Sequence, residues 1–182
     1  YFNELFGVDY PYSIYRQVLV QRFIYGAMEN PSVTILSDGF YLEREDTPWF
    51  STDSVVAHEL AHQWFGDMIT CYGWRELWLN EGFATYYAAK WQEHSIGDDF
   101  GAAKFHGILQ GGVRVNGPMA ARSWSKRGDR DNEGVYVRGA SVLYFLRSYL
   151  GETVYNAAIQ RYVRNNVGRL VESADLRRAF ED

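Results

Sequence analysis

At 182 residues, 47% hydrophobic and 23% charged, the chain has the composition of an ordinary globular domain with room for one real core. A net charge of −5 without a basic cluster speaks against a nucleic-acid partner, whose phosphates need a basic patch. The single cysteine, Cys71, excludes an internal disulfide and a thiolate metal cluster, and no apolar run reaches the length of a membrane span. One cysteine also fits a reducing compartment, so a cytoplasmic location is the expectation, with Cys71 itself a small buried residue. The chain opens at Tyr1 and stops at Asp182 inside a helical pattern, and both ends read as cut. A single domain over residues 1–182, part of a longer multidomain polypeptide, is expected.

Residues 1–6 read as the end of a helix closed by Gly7. Arg16–Arg22 and Ser32–Ser37 read as strands. Between them runs Gly26-Ala27-Met28-Glu29-Asn30-Pro31. Glycine permits close approach of the backbone, and the residue before proline is pushed to extended geometry. An extended edge segment carrying a carboxylate is expected, although on the residues alone Glu29 is equally a solvated turn glutamate. A helix then starts in the polar cluster Ser51–Ser54, whose short side chains suit capping. Val56, Leu60, Ala61 and Trp64 follow at helical spacing, and Gly66 provides a stop. The connection from Gly66 to about Trp78 is long for neighbouring helices, which predicts an ordered or functional loop. A second helix spans Leu79–His94 with an apolar stripe of Phe83, Tyr87, Ala88 and Trp91. A third begins at Asp98 and Asp99 and fades near Gly111 and Gly112. A polar surface loop over 116–134 precedes helices at about 137–150 and 152–166, divided at Gly151, and a last helix begins near Ser173. The fold class is α+β, with a small N-terminal sheet portion and a mostly helical remainder.

The chemistry concentrates in His58-Glu59-Leu60-Ala61-His62. Helix positions four apart lie about 40° apart around the axis, so both imidazoles share one face and can reach a single zinc ion. Glu59 lies between them in sequence and flanks the metal without binding it, where a base for a water molecule belongs. Glu81, 19 residues after His62, supplies an oxygen ligand and leaves a fourth position open. Two His and one Glu with an open position make a hydrolytic zinc site, not a structural one. The bland alternative is two surface histidines around a solvated glutamate. A separate apolar stripe on the same helix counts against it.

Four motifs occur in order: Gly26-Ala27-Met28-Glu29-Asn30, His58-Glu59-Leu60-Ala61-His62, Asn80-Glu81-Gly82-Phe83-Ala84 and Tyr136-Val137-Arg138-Gly139-Ala140. Together they resemble the gluzincin metallo-aminopeptidases of the aminopeptidase N type, a family that also contains leukotriene hydrolase, and the likeness spans nearly the whole chain. The resemblance implies a thermolysin-like zinc peptidase catalytic domain, with the family's amino-terminal β-domain and carboxy-terminal helical domain as its flanking partners. It implies one zinc per chain on His58, His62 and Glu81, with Glu59 as general base and Tyr136 as donor to the oxyanion. Glu29 is then implied to bind the free α-amino group of a peptide substrate. Gly26 and Ala27 would touch the substrate backbone, and Met28 would stand near the pocket for the first side chain. A zinc endopeptidase, a bifunctional enzyme like leukotriene hydrolase and an inactive binding scaffold are the competing readings. Arg138 stands where the family commonly has Lys, and Asp67 where it commonly has Asn. His94 and His106 fall outside every motif and are expected as surface or satisfied residues. Each ligating imidazole should donate its other N–H to a carboxylate or carbonyl. Asn80 and Thr85 are the positional candidates for such support.

Overall fold

The computed structural model describes residues 1–40, 52–115, 119 and 134–181. A short helix, α1 (Phe2–Phe6), ends where Gly7 adopts a left-handed φ of 67°, a conformation glycine takes without a steric penalty. Strands β1 (Arg16–Val20), β2 (Ala27–Met28) and β3 (Val33–Ser37) follow, in the spatial order β1-β3-β2. β1 stops short of Arg22, whose φ of 56° belongs to a turn. The central strand β3 runs parallel to β1 and antiparallel to β2, pairing Ala27 with Leu36 and Met28 with Ile35. Among the described residues β2 is thus an edge strand, as the proline-bounded segment led one to expect, and Glu29 leaves it directly.

The helical part comprises α2 (Asp53–His62), α3 (Trp78–Ile96), α4 (Asp98–Arg114), α5 (Gly139–Leu150), α6 (Glu152–Asn166) and α7 (Ser173–Glu181). From Trp78 to Lys90 every residue of α3 except Thr85 is buried, because α2, α4 and α5 pack around it. The core between these elements is aromatic. Phe65 stacks on Phe83 with centroids 4.4 Å apart, and Phe6 meets Tyr87 edge-on at 4.6 Å. Such pairs add about 0.5–1.5 kcal/mol each beyond the area they bury. No helix among the described residues is long and apolar enough to cross a membrane.

The structure fills in three details of the sequence expectation. At the polar start of α2, Thr52 makes no capping bond, and Ser51 lies outside the described residues. The connection from Gly66 to Trp78 is ordered, through β4 (Thr70–Cys71) pairing in parallel with β5 (Leu170–Val171). Glu76 reinforces this tie by accepting from Ser173 N at 3.1 Å at the start of α7. Of the loop expected over 116–134, residues 116–118 and 120–133 lie outside the described residues. Gly134 already begins a π-helical turn, Gly134–Arg138, that runs into α5. A Cβ on Gly82 would stand 2.8 Å from Gly139 Cα, so only glycine on these two positions lets α3 touch the start of α5 backbone to backbone. That contact brings Tyr136 of the π-turn beside Glu81 of α3.

Candidate metal centre and active site

One turn of α2 separates His58 from His62, whose rings stand 4.7 Å apart and nearly perpendicular. Crossing behind them, α3 delivers Glu81. Its Oε2 lies 3.4 Å from His58 Nε2 and 3.2 Å from His62 Nε2, while the two nitrogens are 3.1 Å apart. His62 Nδ1 donates to the Phe65 carbonyl at 3.0 Å, which leaves Nε2 with its lone pair facing the other two atoms. Glu81 Oε2 is buried and receives no hydrogen bond of its own. Three converging lone pairs repel one another unless a cation lies among them. Zinc bonds of about 2.0–2.1 Å at the tetrahedral angle would put their donor atoms about 3.3–3.4 Å apart. The triangle therefore fits zinc in donor chemistry and in size.

The electrostatics agree with that fit. Burial opposes a charge on either imidazole. At His62 the Glu81 carboxylate beside the ring outweighs burial and pushes the pKa up to about 9. At His58 burial prevails over Glu81, with His62 adding to it, and the pKa falls. One positive charge is drawn into the triangle and a second is refused. Against its burial, the two imidazoles hold the Glu81 carboxyl well below the carboxylate range. Burial pushes the Glu59 carboxyl up to about 7, against the pull of His62 and with Glu29, Glu81 and Asp67 adding to it.

The structure gathers the other expected residues around this triangle. Ligand atoms of Glu29, Glu59 and His62 all lie within 4.8 Å of one another, so the Glu29 carboxylate faces inward. Tyr136 stacks on His58, with centroids 6.0 Å apart and ring planes 14° from parallel. A cavity of about 440 Å³ is lined by Ala27, Met28, Glu29, Glu81 and Tyr136, together with Cys71 and Trp74. A second, of about 410 Å³, is lined by Gly26, Ala27, His58, Glu59 and Lys104 among others, and Ala27 borders both. The larger apolar cavity of about 530 Å³ beside Tyr10, Leu60 and Trp64 holds none of the site residues.

Several expectations need correction. Neither Asn80 Oδ1 nor Thr85 Oγ1 has a hydrogen-bond partner, so neither accepts from an imidazole, and the support of His62 is the Phe65 carbonyl. A carbonyl partner was expected, but a backbone carbonyl has no sequence signature that says which one. Cys71 is half-buried on the cavity wall, not enclosed in the core. Arg138 donates to the carbonyls of Gly112 and Val115, joining the end of α4 to the π-turn. Asp67 Oδ2 is buried without a hydrogen-bond partner, and burial and then Glu29 raise its pKa to about 7. His94 and His106 stay exposed and apart from the site, His94 stacked on Tyr1 and His106 bonded to Gln110.

A mostly helical α+β domain with this His-His-Glu triangle and an adjacent buried carboxylate is of the metallopeptidase catalytic-domain class. The whole chain, residues 1–182, matches the peptidase family M1 domain, and it belongs to that family. It is 32% identical over 191 residues to aminopeptidase M1 of Arabidopsis thaliana, covering 99% of this chain and 22% of that one. It is 31% identical over 198 residues to aminopeptidase N of Streptomyces lividans, covering 100% and 23% respectively. Among solved structures it resembles an M1 zinc metallopeptidase from Deinococcus radiodurans, with a TM-score of 0.81 and 29% identity over 98% of this chain and 38% of that one. A mutant of that protein bound to a Tyr-Ser-Ala substrate matches with a TM-score of 0.78 at 30% identity, again over 98% and 38%. The chain spans about a fifth of the length of the relatives it matches.

Proposed function

We propose that this chain is the catalytic domain of a zinc-dependent aminopeptidase, which hydrolyses the first peptide bond of peptides with a free amino terminus. The observation that carries this reading is the inward-facing Glu29, whose carboxylate comes within 4.8 Å of the Glu59 carboxylate and a His62 nitrogen. A carboxylate there closes one side of the metal site. It accepts a charge-assisted bond from an ammonium one residue, roughly 3.3–3.8 Å of chain, from the reacting carbonyl. Relatives named as aminopeptidases support the same reading.

His58, His62 and Glu81 would hold the zinc, which would supply Lewis-acid polarisation of the scissile carbonyl and a water of lowered pKa. Glu59 takes a proton from the attacking water on its carboxylate oxygen and later hands it to the departing amine nitrogen. Tyr136 donates its hydroxyl hydrogen to the carbonyl oxygen as negative charge develops there. Burial, and then the nearby Glu81, hold its pKa well above the ordinary value, so it stays a donor. The free edge of β2 offers the backbone groups of Ala27 to an extended substrate, and Gly26 leads into it. Met28 and Trp74 on the cavity wall meet its first side chain.

An amino-acid arylamide, its N-acetylated form and an internally quenched, amino-blocked peptide separate the readings. The account expects turnover of the first alone. Equal cleavage of free and blocked substrates would make the protein an endopeptidase, and zinc binding without any turnover would make it a scaffold.

A further inference from the structure

Gln63 follows His62 directly, at the end of α2, and its side chain is completely buried at 0% exposure. An amide is so deeply enclosed only when its donors and acceptor are used. Its Nε2 donates to the Glu29 carbonyl at 2.9 Å, and its Oε1 accepts from Ser32 N at 2.7 Å. Because a carbonyl accepts and a backbone N–H donates, the orientation of the amide is unambiguous. The turn it spans is a demanding one. Ser32 has a φ of 65°, a region that a non-glycine residue keeps only with support from its surroundings, and Val33 N returns to Asn30 O at 2.9 Å. At its other end the same segment is held by the sheet, where Ser37 N donates to Gly26 O at 2.9 Å.

We propose that Gln63 is a positioning residue for recognition of the substrate amine. Its side chain ties the backbone of Glu29 to the helix that carries His58 and His62, and so sets the distance between ammonium and metal. That distance decides which peptide bond lies over the metal. The proposal rests on the reading of Glu29 given above. It adds a residue whose own atoms face neither substrate nor metal.

The test uses the zinc-loaded holoenzyme with Gln63→Met, Gln63→Glu, Glu29→Ala and the Gln63→Met/Glu29→Ala pair. An amino-acid hydroxamate and the same hydroxamate lacking its α-amino group serve as inhibitors, and zinc content is followed in parallel. The ratio of the two inhibition constants reads amine recognition alone. Gln63→Met should shrink that ratio by about tenfold, the scale of a lost hydrogen bond, with zinc retained and the amine-free inhibitor nearly unaffected. Gln63→Glu keeps an acceptor for Ser32 but sets a second oxygen against the Glu29 carbonyl, and should do at least as much. Near-isosteric with glutamine, it carries the test if the methionine variant does not fold. Glu29→Ala should collapse the ratio, and adding Gln63→Met should change it no further. Equal weakening of both inhibitors, an unchanged ratio, or zinc loss in both Gln63 variants would make Gln63 merely structural and overturn the proposal. If Glu29→Ala leaves the ratio intact, the reading of Glu29 fails and this one with it. If Glu29→Ala collapses the ratio while both Gln63 variants keep it, this proposal alone fails.

Discussion

Helix α3 carries ionisable groups in two clusters, the buried Glu81 near its start and the buried Lys90 with the half-buried Glu93 toward its end. At the far end each charge has a partner. Arg147 grips Glu93 with two bonds of 3.0 and 3.1 Å, and Lys90 reaches Glu152 at 2.8 Å as well as Glu93. Two cations face two anions. At the near end, the described residues of the cavity wall include Glu29 and Glu81 and no lysine or arginine, Glu59 lies buried close by, and Lys104 lines only the neighbouring cavity. A cluster that balances its own charge holds helices together. One that gathers carboxylates and imidazole lone pairs without a cation is built to receive one. On the proposed function the missing charges are a metal and an ammonium.

The strongest way to break this contrast is to remove a triangle member. His62→Ala or Glu81→Ala should lose zinc and, with it, more activity than the roughly 10²–10⁴ in rate that a general base alone supplies. Persistent zinc in either, measured by atomic spectroscopy, would place the metal elsewhere. Tyr136→Phe should come next, lowering kcat by about 10²–10³ with little change in KM, since one oxyanion donor is lost. Steady-state kinetics that moved KM instead would assign Tyr136 to ground-state binding. At the other end of α3, Glu93→Gln should leave zinc content and kcat intact. It should destabilise the fold by about 2 kcal/mol, because Lys90 and Arg147 lose charge-assisted bonds to a half-buried partner. In a chain of this size that corresponds to a fall of about 4–8 °C in the thermal midpoint. A Glu93→Gln protein that lost zinc would dissolve the distinction between the two clusters.

The smallest effect is a pH dependence. Burial works to raise the pKa of Glu93, and the hydrogen bonds and charges of Arg147 and Lys90 outweigh it, so the folded value lies below the ordinary 4.5. A depressed folded pKa contributes stability that is fully present above the unfolded value and lost as pH falls through the folded one. Wild type should therefore lose stability below about pH 4.5 more steeply than Glu93→Gln, as denaturant titrations across that range would read.

What could be read in advance follows the same physical lines. The shared face of His58 and His62 was legible because helical periodicity turns a spacing of four into proximity. The strand–turn–strand around Glu29 was legible from Gly26 and Pro31, but its inward direction came only from the resemblance. Roles for Tyr136, one of fourteen tyrosines, came from the same source. Backbone partners such as the Phe65 carbonyl leave no trace in a sequence. Nor do β4 and β5, two-residue strands whose pairing joins Thr70 to Leu170. Gln63 escaped notice because a glutamine next to a ligand looks like any solvated polar residue until the fold encloses it. The stripe of Phe83, Tyr87 and Ala88 located α3 but not its burial on nearly all sides, which leaves little polar face to reveal.

Zinc content measured alongside turnover in wild type, Glu59→Gln and Glu81→Ala most directly tests a site in which three side chains hold the metal and a fourth does chemistry beside it. The account predicts one zinc per chain in wild type and in Glu59→Gln, little or none in Glu81→Ala, and turnover of an amino-acid arylamide in wild type alone. A Glu59→Gln protein that has lost its zinc, or that keeps the zinc and turns over like wild type, would contradict it.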